Sequence, residues 1–216
     1  MVGVNDGGSI EASYALGTVD GFSKLGGLIG VYRQGGVENC YSGTNVKGRY
    51  LYIGGLVGSH NLAWGIKNCF SYGTVVGQGG GLVGGIDSWA SIQNSFWDLE
   101  SSGMTTSAAG TGKTTEEMKT LSTFTSAGWD FVGEAANGTA DVWRMCADGV
   151  DYPRLSWEFS QNGDLNCPDG VGLEDLVYLA GRWMASTPAT VGAADVNGNG
   201  RVGIEDFVVM AENWMR

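Results

Sequence analysis

The chain has 216 residues, and its 38 glycines, 3 prolines and 43% apolar residues are typical of a glycine-punctuated β protein rather than a disordered chain. Its formal net charge of −11 at pH 7 argues against nucleic acid and anionic membranes as partners, because both attract basic surfaces. No apolar run reaches the roughly 18 residues of a spanning helix, so membrane insertion is not expected. Composition shifts predict three segments: 1–98, 99–159 and 160–216.

The first segment contains a repeated glycine-rich pentad. Residues 26–30, 54–58 and 80–84 read Gly-Gly-Leu-(Ile or Val)-Gly, and Met1-Val2-Gly3 resembles the end of a fourth copy. The three leucines stand at 28, 56 and 82, separated by 28 and 26 residues. A constant period in this range predicts a solenoid, in which stacked coils bury a continuous core. Because the chain starts within a repeat, we expect residue 1 to be a cut in a longer protein.

The remainder of each coil repeats as well, with the alternation of apolar and polar residues that is typical of strands. Stacking in register predicts three columns of like side chains. The apolar column consists of Ile10, Val37, Ile66 and Ile92, and the aromatic column of Tyr14, Tyr41, Phe70 and Phe96. The asparagine column consists of Asn39, Asn68 and Asn94. Glycines are expected at the corners and wherever neighbouring coils approach closely. The predicted fold is a mainly β protein: a glycine-rich, parallel β-helix-like β-solenoid with a small α-helical module at its C-terminal end.

The pentads and the Asn-Cys-Tyr and Asn-Cys-Phe segments at 39–41 and 68–70 resemble the GLUG motif, a short glycine-rich repeat. The resemblance implies a secreted or surface-displayed protein of adhesive or structural character. The series Phe96-Trp97-Asp98, 128–131 and 152–155 is similar to the ends of GLUG-repeat proteins.

Residues 99–159 leave the repeat and are predicted to cap the solenoid, because an open coil would expose unpaired backbone groups. Thr114 and Glu117 form a capping-box pattern that predicts a short helix to about Leu121. We expect Trp129, Trp143 and Trp157 to lie in the core of this segment.

Residues 160–216 contain two loops of the kind that bind calcium, each followed by a helical pattern. Such a loop needs oxygen ligands at positions 1, 3, 5 and 12, a carbonyl at position 7 and glycine at position 6. The second loop meets every requirement, with Gly200 at the turn and Asp195, Asn197, Asn199, the carbonyl of Arg201, and Asp206 as ligands.

The first loop departs from this pattern at position 5, where Pro168 has no ligating side chain. Either a bulge brings in Asp169 or water replaces the missing ligand, and we expect weaker calcium binding. The other predicted ligands are Asp164, Asn166, the carbonyl of Val171, and Asp175. Two calcium ions are therefore expected.

These two loops with their helices resemble a type I dockerin over about 50 residues. The resemblance implies a fold organised by two calcium ions and a cohesin-like module or surface scaffold as partner. Loop positions 10 and 11, which commonly carry small hydroxyl residues in dockerins, are Leu173-Glu174 and Ile204-Glu205 in this chain.

Cys40 and Cys69 occupy equivalent positions in neighbouring coils and are interpreted as buried free thiols, whereas Cys146 and Cys167 are candidates for a bridge. The single histidine, His60, is expected in a solvated turn and leaves no histidine-based catalytic site. A catalytic site of paired carboxylates would need acids that converge on one face. The acids near one another in the last coil and its exit are Asp87, Asp98 and Glu100, and no earlier coil places a further acid beside them.

We therefore predict a non-enzymatic, secreted or cell-surface adhesion or structural protein that does not bind nucleic acid. One alternative is an accessory, polysaccharide-associated part of an enzyme with an upstream catalytic domain. Another is a filament subunit that self-associates through open solenoid ends.

Overall fold

The computed structural model describes residues 1–61, 65–86, 91–159, 163–165 and 171–214. The chain divides into two compact units, one of residues 1–129 and 148–152, the other of residues 130–147 and 153–216. The boundaries predicted after residues 98 and 159 stay predictions.

The first unit is a parallel β-solenoid, as the repeats predict. Within the described residues its strands are β1 (Val2–Asp6), β2 (Ile10–Glu11), β3 (Tyr14–Gly21), β4 (Leu25–Gly26), β5 (Ile29–Gln34), β6 (Val37–Glu38), β7 (Tyr41–Gly54), β8 (Val57–His60), β9 (Gly65–Lys67), β10 (Phe70–Ser71), β11 (Val75–Gly80), β12 (Val83–Ile86), β13 (Ser91–Gln93), β14 (Phe96–Asp98) and β15 (Thr111–Lys113). Successive coils add strands to parallel sheets in the orders β1-β5-β8-β12, β2-β6-β9-β13 and β11-β7-β10-β14-β15, and β3 and β4 also pair with β7.

The predicted apolar column is confirmed in register. Ile10 pairs with Val37, Val37 with Ile66, and Ile66 with Ile92. Val37 and Ile66 are fully buried, whereas Ile10 and Ile92 are only partly buried against the same core. Ile10 lies in the first strand of its sheet, where a neighbouring coil covers it from one side only.

The aromatic column is also in register, from Tyr14 through Tyr41 and Phe70 to Phe96. The rings of Tyr14 and Tyr41 stack with centroids 5.0 Å apart, and those of Tyr41 and Phe70 with centroids 5.2 Å apart. Stacked rings of this kind stabilise the coil interface beyond the area that they bury.

The asparagine column has a backbone cause. Asn39, Asn68 and Asn94 adopt positive φ angles of 53°, 50° and 46°, and Ala12 at the equivalent position has φ 43°. Asparagine tolerates this left-handed conformation better than other non-glycine residues.

The pentad glycines are required by close packing of the coils. A Cβ atom on Gly54 would lie 2.0 Å from the Val57 carbonyl oxygen and 2.7 Å from the Gly84 nitrogen.

The expectation that His60 is solvated is wrong. His60 ends β8, which lies between β5 and β12, and its side chain is fully buried. Its ring contacts Tyr32 edge-on at a centroid distance of 4.6 Å. The pairing of β8 on both sides extends the strand through this residue and turns the histidine into the core.

Three short helices lie at the end of the solenoid: α1 (Leu99–Ser102) between β14 and β15, and α2 (Thr115–Met118) and α3 (Leu121–Thr125) after β15. The predicted capping box is present, since the Glu117 N–H donates to Thr114 Oγ1 at 3.1 Å and the Thr114 N–H to the Glu117 carboxylate at 2.9 Å. Helix α2 ends before Leu121 because Thr120 adopts extended backbone and begins α3. Trp129 is buried, and its Nε1 donates to the Asn94 carbonyl at 2.9 Å.

In its described residues, the second unit contains β16 (Trp143–Arg144) paired antiparallel with β17 (Arg154–Leu155), followed by α4 (Leu173–Ala180), α5 (Pro188–Val191) and α6 (Ile204–Glu212). Short 3₁₀ turns cover Ser156–Glu158 and Gly192–Ala194. Trp143 is buried as expected, but Trp157 is 48% exposed, because Leu155 and Phe159 on either side of its turn supply the core contacts instead. None of the described helices is both long and apolar enough to cross a membrane.

We expect Ile66→Asp to prevent folding of the solenoid, because an unpaired charge in the buried column costs several kcal/mol. Circular dichroism and thermal unfolding would detect the loss. Val76→Asp is the matched control, since Val76 is 50% exposed on β11. A soluble Ile66→Asp variant with unchanged spectra and melting temperature would refute the register.

Candidate metal-binding loops

The second predicted calcium loop, between Asp195 and Asp206, turns its polar side chains toward its own backbone. The carboxylate of Asp195 accepts hydrogen bonds from the Asn199 N–H at 2.9 Å and the Gly200 N–H at 2.7 Å. Asn197 Oδ1 accepts from the Asn199 N–H at 3.0 Å, and Asn199 Oδ1 from the Arg201 N–H at 2.9 Å. Four predicted ligands, these three and Asp206, thus have side-chain oxygens directed into one loop.

Asp206, the fourth of these residues, is fully buried at the start of α6. Its two oxygens accept from the Asn197 N–H at 3.2 Å and the Gly203 N–H at 2.8 Å, so that it joins the two ends of the loop. Gly200 has φ 82°, as the expected turn at position 6 requires. Arg201 is exposed, and its N–H donates to Asn199 Oδ1 within the loop.

The first loop repeats part of this arrangement. Asp175 is 1% exposed and accepts from the Gly172 N–H at 2.9 Å, as Asp206 does from Gly203. Its other oxygen accepts from the Leu165 N–H. Asp164 is 8% exposed, and Val171 is buried in the same apolar cluster as Val202. Asn166, Pro168 and Asp169 lie outside the described residues.

The two loop–helix segments are 31 residues apart in the chain, and equivalent positions resemble each other in burial as well as in sequence. From 171 to 180 and from 202 to 211, both members of each equivalent pair are buried, both are half-buried or both are exposed. The buried acids Asp175 and Asp206 and the buried apolar residues Leu179 and Met210 are equivalent pairs. Helical spacing predicts one face with Leu179 and Ala180 on α4 and one with Met210 and Ala211 on α6. Leu179 and Met210 are buried, but Ala180 and Ala211 are exposed, so the predicted faces are confirmed only in part.

The donor set of the second loop fits a hard cation, because every predicted side-chain ligand presents oxygen. It contains two carboxylates and two amides. Within the described part of the chain, no group of three or more His, Cys, Asp or Glu side chains could hold a metal ion. A cation in this loop would therefore depend on amide and carbonyl oxygens in addition to Asp195 and Asp206.

The acids weighed for catalysis have structural partners. Asp98 is fully buried and accepts from the Ser101 N–H at 2.8 Å, Thr115 Oγ1 at 2.9 Å and the Tyr152 hydroxyl at 2.6 Å. Glu100 accepts from the Thr115 N–H. Asp87 lies outside the described residues. These contacts hold α1, α2 and the Tyr152 segment together.

The thiols of Cys40 and Cys69 are free and buried, as predicted. Burial raises the pKa of Cys69 well above its ordinary value, which disfavours the reactive thiolate. Cys146 is disulfide-bonded, which agrees with its candidacy for a bridge to Cys167, and Cys167 itself lies outside the described residues.

Comparison with known proteins supports the fold and leaves the family open. No family model matches the chain. It is 33% identical over 160 residues to a protein of Evansella cellulosilytica named "Putative Gly-rich membrane protein", an alignment that covers 72% of this chain and 15% of that relative. The chain therefore spans about 15% of the relative's length. The GLUG and dockerin resemblances stay predictions.

A crystal structure described as a putative immunoglobulin A1 protease from Bacteroides ovatus superposes with a TM-score of 0.50 and 20% sequence identity. The match covers 72% of this chain and 62% of that chain. At this identity the likeness concerns the fold alone, and it agrees with the β-solenoid.

Apolar side chains beside the loops face solvent, a feature that the helical pattern did not predict. Leu173 and Val177 on α4 are 69% and 67% exposed, and their equivalents Ile204 and Val208 on α6 are 63% and 47% exposed. Each pair is four residues apart and therefore lies on one helix face. The departure from small hydroxyl residues at loop position 10 was the available signal.

We expect Asp206→Asn to weaken calcium binding by about tenfold or more, because it removes one of two carboxylates while preserving side-chain size. Isothermal titration of the full chain with calcium measures the affinity. Asp175→Asn, at the equivalent position of the loop that contains proline, should have a smaller effect. Equal affinities in the wild type and Asp206→Asn would contradict the ligand assignment.

Proposed function

We propose that this chain is a non-catalytic part of a secreted or cell-surface protein. Its GLUG-type β-solenoid serves an adhesive or structural role, and a calcium-dependent, dockerin-like module attaches it to a protein partner. The observation that carries the proposal is the second loop, where four predicted ligands turn their side-chain oxygens toward one short stretch of backbone.

In this proposal Asp195, Asn197, Asn199 and Asp206 hold calcium through side chains and Arg201 through its carbonyl. The ion would offset the carboxylate charge and cross-link the loop, so that its binding free energy adds to folding free energy. Asn197 and Asn199 carry no charge, and we therefore expect weaker binding than in a loop with carboxylates at both positions. The first loop takes a second ion through Asp164, Asn166, Asp169 and Asp175. Counted from Asp164, the position-7 carbonyl belongs to Gly170, because Val171 is equivalent to Val202 at position 8.

The partner surface is proposed to be the exposed apolar pairs of α4 and α6. Solvent-facing apolar side chains recur at equivalent positions of the two helices. This recurrence indicates a protein-binding surface rather than incidental exposure of single residues. Trp183, 45% exposed, and Met184, 73% exposed, border a cleft of about 380 Å³ that also includes Ile204. A cohesin-like module or surface scaffold protein is the occupant that we propose.

A second candidate function is filament formation. Within the described residues, β1 and β2 end their sheets, and β3 pairs only with β7. Unpaired strand edges accept further strands. The same edges could take another coil of the protein or another copy of the chain, and the second arrangement would build a fibre.

The binding proposal predicts that purified type I cohesin modules bind the chain in calcium and dissociate in chelator. The double variant Leu173→Ser/Ile204→Ser should weaken binding by about tenfold or more, because both equivalent apolar surfaces are altered. Surface plasmon resonance measures both effects. Val150→Ser, which alters a 60% exposed residue outside this module, is the control. Failure of cohesins to bind a calcium-loaded chain would overturn the proposed partner but leave the calcium proposal intact.

The filament hypothesis predicts that the average mass of the 216-residue chain rises with concentration in multi-angle light scattering. Gly3→Pro in β1 should reduce the association. The Val2 N–H donates to Leu28 on the β5 side, so the N–H of the next residue, Gly3, points toward the open edge. A strict monomer at high concentration would reject the hypothesis for this chain.

A further inference from the structure

An arginine from outside the predicted calcium module lies against its first loop. Arg144 follows the fully buried Trp143 on β16, which pairs with β17 in the second unit. The pairing of Trp143 with Leu155 and of Arg144 with Arg154 fixes the backbone from which the guanidinium extends. The position of this side chain is therefore set by a strand and a buried ring.

The guanidinium of Arg144 donates through Nη2 to the carbonyl of Leu165, at position 2 of the first loop. The N–H of the same Leu165 donates to Asp175. Arg144 also lies over the rings of Phe159 and Tyr178, with distances of 4.6 and 5.9 Å from its Cζ atom to the centroids. A planar guanidinium suits this combination of ring contacts and hydrogen bonding.

The charge of Arg144 has buried counterparts. Asp164 and Asp175, the predicted ligands at positions 1 and 12, are 8% and 1% exposed, and both attract the guanidinium. Burial lowers the pKa of Arg144, and Tyr178, Asp164 and Asp175 act in the opposite direction. Buried carboxylates are costly unless positive charge or hydrogen bonds compensate them.

The second loop lacks this arrangement in the described residues. No arginine there donates to a carbonyl between Asp195 and Asp206, and the side chain of Arg201 is exposed. The two loops are thus related by sequence but differ in their electrostatic support.

We propose that Arg144 is an internal cation that, in the absence of metal, positions the start of the first loop through the Leu165 carbonyl and offsets the charge of its buried carboxylates. The inference rests on the proposed calcium function of the two loops. The positive charge of Arg144 makes the first loop less dependent on calcium than the second. This agrees with the loss of a side-chain ligand at Pro168 in the first loop. Arg144 is a positioning residue and does not itself ligate the ion.

The test is hydrogen exchange of the full chain, measured by mass spectrometry in chelator and in calcium, with the variant Arg144→Met. Methionine keeps an apolar stem against Phe159 and Tyr178 but removes the charge and the hydrogen bond. In chelator we expect about tenfold faster exchange at 163–176 and unchanged exchange at 194–208. Calcium should reduce the difference, because the ion supplies positive charge to the same carboxylates.

Two variants serve as controls. Arg144→Lys retains the charge and should restore most of the protection in chelator. Arg182→Met removes another cation over Tyr178, at 3.7 Å from the ring centroid, and should leave the first loop unchanged. Equal effects of Arg144→Met and Arg182→Met, or equal acceleration of both loops, would overturn the proposal. If calcium protects neither loop of the wild type, the calcium proposal fails, while the chelator comparison still decides the role of Arg144.

Discussion

In-register stacking of coils is the constraint on which the solenoid depends. Backbone hydrogen bonds run from coil to coil, as from the Leu28 N–H to the Leu56 carbonyl at 3.0 Å and from the Leu56 N–H to the Leu82 carbonyl at 2.9 Å. This spacing leaves no room for a side chain at Gly54, where a Cβ atom would collide with backbone atoms. It also places like side chains above one another, so that apolar and aromatic columns form wherever the repeat keeps its composition.

The same stacking also brings cysteines and charged side chains of neighbouring coils together. Cys40 and Cys69 lie on neighbouring coils in fully buried positions, and the Cys40 N–H donates to Cys69 Sγ at 3.4 Å. On the exposed side, Lys67 contacts Glu38 of the adjacent coil at 2.7 Å, but Glu38 also pairs in register with Glu11. Exposed ion pairs contribute little to stability, so the buried columns and backbone ladder dominate.

The second unit depends on polar groups to a greater extent. Its apolar cluster is small and includes Leu179, Val191 and Met210. Asp175 and Asp206 are buried beside it and bind backbone N–H groups. A small unit with buried carboxylates needs compensating charge, and calcium and Arg144 are the two sources that we propose. On this view, the exposed apolar pairs of α4 and α6 are available to a partner because the core uses the opposite helix faces.

The sequence by itself determined the coil period, the register of the columns, the capping box at Thr114 and the burial of Leu179 and Met210. These features repeat or are local, and periodic patterns report them directly. Only the tertiary structure decided that His60 is buried, that Trp157 is exposed and that residues 130–147 belong with the C-terminal unit. The contact between Arg144 and Leu165 was equally inaccessible from sequence. Such outcomes depend on which non-repeating segments pack together, and no local pattern in the chain encodes that choice.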